Sequence, residues 1–211
     1  CESEELLWEA HEKGSRILLE GAQGIHLDTD FGTCPYVTSS PCTPAGALQG
    51  SGLPPRALER VIGVMKAYTT RVAAGPFPSE MDEETQNVIR EKGKEFGATT
   101  GRPRRIGWLD LVILMRSARL GVTEWAVTKG DILRGANPLK VCYAYEDEKE
   151  NPVSVFDMAR ARPVYVEVEG WGEDLERSKE FNAYLQMIEQ MTRVPVRLVS
   201  TGPRREQIYT R

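Results

Sequence analysis

The sequence predicts an α/β fold in which helices flank an open, mostly parallel sheet. Amphipathic segments with helical spacing alternate with short runs of β-branched and aromatic residues, and this alternation is typical of such sheets. The composition agrees, because 40% of the 211 residues are hydrophobic and 27% are charged, as in ordinary globular proteins. We expect residues 1–211 to form a single α/β unit.

Five segments have the residue pattern of helices. Residues 1–14 are amphipathic, and a core-packing helix is predicted behind Pro54-Pro55 from four apolar residues at helical spacing, namely Leu58, Val61, Ile62 and Met65. Further helices are predicted over about 82–93, 108–120 and 178–191, and Gly121 is placed to end the second of these. The predicted strands lie between them, at 16–19, 68–72, 125–128, 141–145, 164–168 and 196–199.

Charge and hydropathy exclude several classes of function. The formal net charge is −4, so the surface as a whole does not attract nucleic acid or an anionic membrane. No run approaches the roughly 18 apolar residues of a membrane span, and the opening residues are not a signal peptide. We therefore expect a cytoplasmic protein. Because the chain opens inside a helix and without Met, we also expect an excised or incomplete chain.

The cysteines and histidines do not form a metal-ligand pattern. The four Cys show no C-x-x-C spacing and there are two His, which is too few for a convincing zinc set. His26 has Asp28 and Asp30 nearby in sequence, but alternating residues without a third partner do not make a metal site. The sequence thus predicts reduced thiols and no metal ligands in this chain.

Two segments that follow predicted strands carry residues suited to a ligand, because open α/β sheets bind ligands beyond the carboxyl ends of their strands. In Thr128-Lys129-Gly130-Asp131, the carboxylate could accept hydrogens from the ring N1 and exocyclic amine of guanine while the lysine stem lies along the base. Adenine lacks that donor pair. The turn at Ser200-Thr201-Gly202 could supply backbone amides to the same base. The alternative for the first segment is a helix N-cap aspartate beside a solvated lysine.

A loop at residues 97–105, GATTGRPRR, places three guanidinium groups within four residues. Arginine binds carboxylates and phosphates through two parallel hydrogen bonds, and threonine hydroxyls and glycine amides add donors. We interpret this as an anion-binding loop that orders around its substrate. The alternative is a solvated basic loop.

Two further turns have polar residues that could contact a nucleotide. Gln23 lies among small residues in EGAQG, and its amide can both donate to and accept from a purine edge. Thr38 opens a run of three hydroxyls, Thr38-Ser39-Ser40, which are candidate phosphate contacts. The alternatives are a structural glutamine in a glycine-flanked turn and a loop that caps itself. Neither a G-x-x-x-x-G-K-[ST] nor a G-x-G-x-x-G phosphate loop occurs in the sequence.

Read in order, these segments resemble adenylosuccinate synthetases. The matching stretches are LLEGAQG, LDTDFGTCPYVTSS, GSGLPPR, KAYTTRVAAGPFPSE, EFGATTGRPRRIGWLD, VTKGD and LVSTGP, from about Ser15 to the end. The resemblance implies part of a P-loop-like synthetase fold, and an enzyme that uses GTP and Mg²⁺ to phosphorylate the 6-oxygen of IMP. The amine of aspartate then displaces phosphate, which gives adenylosuccinate on the path from IMP to AMP.

The resemblance also implies roles for individual residues. It assigns IMP to Gln23, Thr38, Val72 and Arg102, and aspartate to Thr99, Thr100 and Arg102. It assigns GTP to Arg104, with guanine enclosed by Lys129, Asp131, Ser200, Thr201 and Gly202. Pro103 stands where many relatives carry another basic residue, and we expect its neighbours to supply the charge.

The family's catalytic residues lie in an N-terminal half that this sequence does not include, so the resemblance implies no catalytic residue and no metal ligand here. The expected Mg²⁺ ligands belong to that half. We therefore expect a chain that is inactive alone and belongs to an enzyme that is a homodimer when intact. The alternatives are a guanine-nucleotide-binding module without ligase activity, a ligase of the same fold for another purine nucleotide such as dGMP, and a remnant without ligand.

Overall fold

The computed structural model describes residues 2–72, 74–97 and 101–211. Within them the helices are α1 (Ser3–Glu12), α2 (Pro44–Ser51), α3 (Glu83–Gly93), α4 (Leu111–Arg119) and α5 (Lys179–Thr192). The strands are β1 (Ile62–Lys66), β2 (Thr69–Arg71), β3 (Arg105–Gly107), β4 (Leu109–Asp110), β5 (Glu124–Thr128), β6 (Leu139–Glu146), β7 (Arg162–Val168), β8 (Val196–Ser200) and β9 (Ile208–Thr210).

The central sheet has the strand order β1-β5-β8-β9. β1 pairs with β5 in parallel, β5 pairs with β8 in parallel, and β9 adds an antiparallel edge. Lys66 lies opposite Thr128 in this ladder, and Val199 lies opposite Val127. The carboxyl ends of β1, β5 and β8 therefore meet at one edge of the sheet.

Two smaller sheets lie beside the central one. β2 and β3 form an antiparallel pair in which Arg71 faces Arg105. In the other sheet β4 pairs with β6 in parallel, and β6 pairs with β7 in antiparallel orientation. The predicted sheet is thus mostly parallel in its central part, while the strand predicted at 68–72 belongs to an antiparallel pair.

The three helices predicted at 82–93, 108–120 and 178–191 are confirmed, and side chains define where they begin. The carboxylates of Asp82 and Asp110 accept the backbone N–H groups of Thr85 and Ile113, and the hydroxyl of Ser178 accepts that of Phe181. These N-caps satisfy N–H groups that a first helical turn leaves without a partner. α4 begins three residues later than predicted, because Trp108 to Asp110 lead into and form β4.

The helix predicted over 58–65 is wrong, since this stretch enters the central sheet as β1. Its apolar residues have helical spacing, but Gly63 lies against the ring of Trp125, where a Cβ atom would be 2.4 Å away. The tight contact and the ladder with β5 override the local pattern. The strand predicted at 16–19 is also wrong, because this extended segment has no ladder partner among the described residues and Leu18 is 86% exposed.

The main core lies between the central sheet and α5. Trp171 packs against Phe181 and Tyr184 of α5, with ring centroids 4.8 and 5.0 Å away. A second core cluster forms between α4, β6 and the segment after β6, around Ile113, Cys142, Tyr145 and Met158. Among the described helices, none has both the length and the apolar composition that a membrane crossing needs.

Candidate functional site

The carboxyl edge of the central sheet brings the two predicted guanine segments together. Thr128 ends β5 and leads into Lys129, and Ser200 ends the neighbouring parallel strand β8 and leads into Thr201. Lys66 ends β1 on the other side of β5. The adjacency of these segments, which the sequence could only suggest, follows directly from the two parallel ladders.

The turn after β5 is held in a conformation that few residues adopt. Lys129 has a φ of 65°, and a 3-10 turn, Gly130–Leu133, follows it. The Lys129 Nζ donates to the carbonyl oxygen of Gly93, at the end of α3, over 2.7 Å. Asp131 is half-buried within the turn, and the N-cap position belongs to Lys129. The alternative of an N-cap aspartate beside a solvated lysine is therefore wrong.

Gly130 fixes this turn onto the main core. Its carbonyl oxygen accepts the indole N–H of Trp171 at 2.9 Å. A Cβ atom at this position would lie 2.8 Å from side-chain carbons of both Leu175 and Phe181. Any larger residue would push the turn away from α5, so the position of Asp131 depends on this close packing.

The turn after β8 is closed by its own hydrogen bonds. The Thr201 N–H donates to the carbonyl oxygen of Gln207 at 2.8 Å, and the Ser200 hydroxyl donates to the carbonyl oxygen of Gly202 at 2.7 Å. Arg134 reaches across from the β5 side, and its Nη2 donates to the Thr201 carbonyl oxygen at 3.4 Å. The Thr201 N–H therefore already has an acceptor within the protein. Among the described residues of this turn, the predicted contact between a backbone amide and the base then falls to Gly202.

Arg104 is tied to a buried carboxylate beside this edge. Its Nη1 donates to Glu95 Oε2 at 2.7 Å, and Lys66 Nζ lies 2.8 Å from each Glu95 oxygen. The Tyr68 hydroxyl donates to Glu95 Oε1 at 2.6 Å. Burial alone would raise the pKa of Glu95, but these donors outweigh it and lower the pKa, so the carboxylate stays charged.

The charged groups around Glu95 also lie near the predicted guanine turn, Lys129 to Asp131. Asp131 lies close enough to Tyr68, and Lys129 close enough to Lys66, for their charges to shift the pKa values of those neighbours. The pKa of Tyr68 rises well above its ordinary value, mainly through burial and then through Glu95. Arg104, Lys129 and Asp131 therefore surround one buried cluster.

The arginine loop closes as a hairpin between Glu95 and Arg104. The Arg104 N–H donates to the Glu95 carbonyl oxygen at 2.9 Å, and the Gly97 N–H donates to that of Arg102 at 2.8 Å. Arg102 is exposed at the tip, next to Pro103, which bridges back to Phe96. Thr99 and Thr100, to which the resemblance assigns aspartate, lie outside the described residues.

The third guanidinium of this loop, that of Arg105, is turned toward the protein. Its Nε donates to a carboxylate oxygen of Glu80 at 2.8 Å and its Nη1 to the carbonyl oxygen of Gly75 at 2.9 Å. The group also lies over the ring of Phe77. The sequence treated the three arginines as one anion site, and the structure separates Arg105 from the other two.

Arg71 joins the end of β2 to the segment that contains Thr38. This buried side chain donates from Nη2 to the Thr33 hydroxyl at 2.7 Å and to the Tyr36 carbonyl oxygen at 3.2 Å. Val72 follows Arg71, whose ladder partner is Arg105 at the last pair of this sheet. Thr38 is half-buried, with its N–H donating to Leu27. Arg71 thus connects the end of β2 to residues 33–36, which precede Thr38.

The segment around Thr38 depends on Asp28, which the sequence considered only as a metal ligand. Its fully buried carboxylate accepts the backbone N–H groups of Asp30, Phe31 and Cys42, at 2.9, 2.8 and 2.5 Å. Burial alone would raise the pKa of Asp28, but these N–H groups lower it. The carboxylate therefore acts as an anchor for the loop.

His26 precedes this anchor and is held neutral. Burial, followed by the positive charges of Arg71 and Arg116, lowers the pKa of His26 to about 4. Its Nε2 is buried without a hydrogen-bond partner in the described part of the chain. A protonated imidazole here would lie unpaired near two guanidinium groups.

Gln23 is exposed and has a φ of 63°. It leads into the turn Ile25–Leu27, whose carbonyl groups accept the N–H groups of Thr33 and Thr38. Its side chain makes no hydrogen bond to the other predicted site residues within the described ranges. Among the described residues, the structure brings the turns after β5 and β8 to one edge of the sheet and ties Arg104 to Glu95 beside it. The binding roles predicted for these residues, and for Gln23, Thr38, Val72 and Arg102, stay predictions.

Four residues of this region were missed: Glu95, Lys66, Tyr68 and Arg71. Lys66 is the last residue of β1, a strand that was predicted as a helix, so the search of strand ends passed over it. Glu95 is a single carboxylate among charged neighbours, and only its burial distinguishes it from Glu91. Arg71 lies inside a predicted strand, where the sequence gives no sign that its side chain joins two loops.

Comparison with known proteins agrees with this geometry. The family model for adenylosuccinate synthetase matches residues 1–209. Relatives of that name are 46% identical in Christiangramia forsetii, where the match covers 100% of this chain and 52% of the relative, and 45% identical in Clostridium perfringens, where it covers 95% and 50%. The chain thus spans about half the length of these curated relatives.

Solved structures show the same likeness. The structure described as fully ligated adenylosuccinate synthetase from Plasmodium falciparum superposes with a TM-score of 0.95 at 32% identity, covering 100% of this chain and 54% of that one. Cyanophage S-2L succinoaminodeoxyadenylate synthetase, bound to dGMP and dATP, gives a TM-score of 0.56 at 22% identity over 90% of this chain and 45% of its own, which shows the fold alone. The P-loop-like synthetase fold implied by the resemblance is confirmed, and the chain belongs to the adenylosuccinate synthetase family.

Proposed function

We propose that this chain is the nucleotide-binding and aspartate-binding part of a GTP-dependent ligase that joins aspartate to IMP. One observation carries the proposal. The turn Lys129 to Asp131 and the turn Ser200 to Gly202 leave adjacent parallel strands at the same edge, with Arg104 beside them. This arrangement offers guanine a directional carboxylate from one side and a backbone turn from the other.

The proposal assigns guanine to Lys129, Asp131, Ser200, Thr201 and Gly202, and a further GTP contact to Arg104. The second substrate pair lies around the β2 and β3 ends, with IMP at Gln23, Thr38, Val72 and Arg102 and aspartate at Thr99, Thr100 and Arg102. The family resemblance supports these roles. The contacts of Arg71 and Glu95 support their grouping, because Arg71 links residues 33–36 to β2 and Glu95 links Arg104 to Lys66 at the end of β1.

In the proposed reaction, GTP phosphorylates the 6-oxygen of IMP and the aspartate amine then displaces that phosphate. The guanidinium of Arg102 would hold an aspartate carboxylate, and Asp131 would select the guanine base. Among the described residues, no group of three or more His, Cys, Asp or Glu side chains is arranged to hold a metal ion, and Asp28 is used by backbone N–H groups. Mg²⁺ would neutralise phosphate charge when bound, and the family resemblance assigns it no ligand among these residues. The family likeness also supports a cytoplasmic homodimer for the intact enzyme.

The guanine assignment is tested by calorimetric titration of the chain with GTP and ATP. We expect binding of GTP and a Kd for ATP at least about a hundredfold weaker, since adenine leaves the Asp131 carboxylate unpaired. Asp131→Asn presents one donor and one acceptor, a pair that fits the N1–H and the 2-oxygen of xanthine. This variant should lose GTP and gain XTP.

Equal binding of GTP and ATP, or an Asp131→Asn variant that keeps its preference for GTP, would contradict the assignment. Arg102→Ala separates a ligase component from a simple nucleotide-binding module. We expect this variant to keep GTP binding and to lose aspartate binding measured in the presence of IMP. The chain alone, mixed with GTP, IMP, aspartate and Mg²⁺, should give no adenylosuccinate.

A further inference from the structure

A buried charge cluster lies directly behind the proposed nucleotide site. Glu95 is only 1% exposed, yet its carboxylate accepts hydrogen bonds from Lys66, Tyr68 and Arg104, at distances of 2.6 to 2.8 Å. The Lys66 and Arg104 side chains are 23% and 28% exposed to solvent. One buried anion thus orients two cations that both still reach solvent.

Glu95 also connects three separate parts of the fold. Lys66 comes from the end of β1, and Arg104 comes from the far side of the arginine hairpin, whose backbone closes on the Glu95 carbonyl oxygen. Gly93, two residues before Glu95, accepts the Lys129 ammonium from the guanine turn. A change of the Glu95 carboxylate therefore acts directly on Lys66 and Arg104, while Lys129 is held by the backbone two residues away.

The charges explain why an anion is needed at this position. Without a carboxylate between them, the Lys66 ammonium and the Arg104 guanidinium would repel each other in a partly buried environment, where charge interactions are stronger than in water. Arg104 would then turn toward solvent, which satisfies its charge but removes it from the site. The pairing with Glu95 fixes the Nη1 end of the Arg104 guanidinium and so restricts the orientation of the whole group.

We propose that Glu95 is a positioning residue for nucleotide binding, which acts by holding Arg104 in the orientation that contacts GTP. The inference rests on the proposed function, since it presumes a nucleotide at the carboxyl edge of the sheet. Glu95 itself is enclosed by protein and does not touch the ligand. Its contribution passes through Arg104, and this makes the two residues energetically coupled.

The coupling is measured with a double-mutant cycle on the 211-residue chain, using GTP titration calorimetry. Glu95→Gln keeps the shape of the side chain and removes its charge. We expect it to weaken GTP binding about tenfold, as loss of the charged partner of a buried pair does. Arg104→Ala should also weaken binding, and Glu95→Gln added to Arg104→Ala should change the Kd by less than about twofold.

Glu91→Gln is the matched control, because Glu91 lies one turn earlier on the exposed side of α3. It should leave the Kd unchanged. If Glu95→Gln does not unfold in a single cooperative transition on heating, the variant is not properly folded. The four proteins of the cycle are then compared again in a chain that also carries Lys66→Met. That change removes one of the two repelling cations, so we expect a smaller coupling of the same sign between Glu95 and Arg104.

The outcomes separate the inference from the proposed function. Absence of GTP binding by the unmodified chain overturns both. GTP binding that Glu95→Gln leaves unchanged overturns the positioning role alone, and so do losses from Glu95→Gln and Arg104→Ala that simply add. A general structural role for Glu95 would give that additive result, because it would weaken binding whether or not Arg104 is present.

Discussion

The turn after β5 and the segment from Gln23 to Cys42 both carry predicted ligand residues, but different forces hold them. The β5 turn continues a strand of a parallel ladder, and Gly130 packs against Leu175 and Phe181 of the main core. The Gln23 segment has one short 3-10 turn and takes its shape from side chains that bond to its backbone, above all those of Asp28 and Arg71.

This difference predicts how each region responds to mutation. A turn placed by a ladder and by apolar packing has many small contacts, so it is sensitive to added volume and tolerant of lost charge. A loop placed by a few buried polar groups depends strongly on each of them, because their removal leaves buried N–H groups without partners. Three experiments test this distinction.

The largest effect is expected from Asp28→Ala. It leaves the N–H groups of Asp30, Phe31 and Cys42 without their acceptor, and we expect the free energy of unfolding to fall by about 4 kcal/mol. Urea denaturation measures this loss, and amide hydrogen exchange should show the protection lost first at these three positions. Asp30→Ala in the same loop is the control, since Asp30 is exposed; equal losses from the two variants would contradict the anchor role.

The next effect is a pH dependence that originates at His26. Between its folded pKa of about 4 and its unfolded value near 6.5, the unfolded chain binds a proton that the folded chain does not. Stability therefore rises with pH across this window, by up to about 3 kcal/mol from this group, and is constant above it.

The His26 contribution is isolated by comparison with His26→Gln. Burial raises the pKa of Asp110 to about 6, so this group makes stability fall as pH rises over the same range. Its contribution is the same in the unmodified chain and in His26→Gln, and it cancels in the difference between them. We expect the difference in unfolding free energy between them to change by about 3 kcal/mol from pH 4 to pH 6.5. A difference that stays constant with pH would show that His26 has the same pKa in the folded and the unfolded chain, and would contradict the effect of its burial.

The smallest effects come from two alanine substitutions of glycine. Gly130→Ala places a Cβ atom against two core side chains and should lower the free energy of unfolding by about 2 kcal/mol. Gly24→Ala has no atom within 4 Å of its Cβ and an extended φ of −164°, so a change below about 0.5 kcal/mol is expected. Thermal melting of both variants is sufficient. Equal melting temperatures would remove the contrast in packing between the two regions.

The sequence was informative where local chemistry and tertiary position coincide. The helices at 82–93 and 178–191 carry both an apolar stripe and an N-cap residue, Asp82 or Ser178, so they could be predicted with their starting points. The guanine segments could be predicted because each follows an apolar strand. The helix predicted over 58–65 failed since the same apolar spacing fits a buried strand, and only Trp125 against Gly63 decides between them.

By itself the sequence determined the α/β class, the family, and the residue types proposed to contact guanine and anions, because these depend on local patterns and on motifs in a fixed order. Tertiary structure alone decided that Glu95 holds Arg104, that Arg71 joins residues 33–36 to the end of β2, and that Arg105 faces Glu80. The physical reason is that a charged side chain has the same appearance in a sequence whether it is exposed or buried. Its partner, often distant along the chain, is chosen by the packing that removes water from around it.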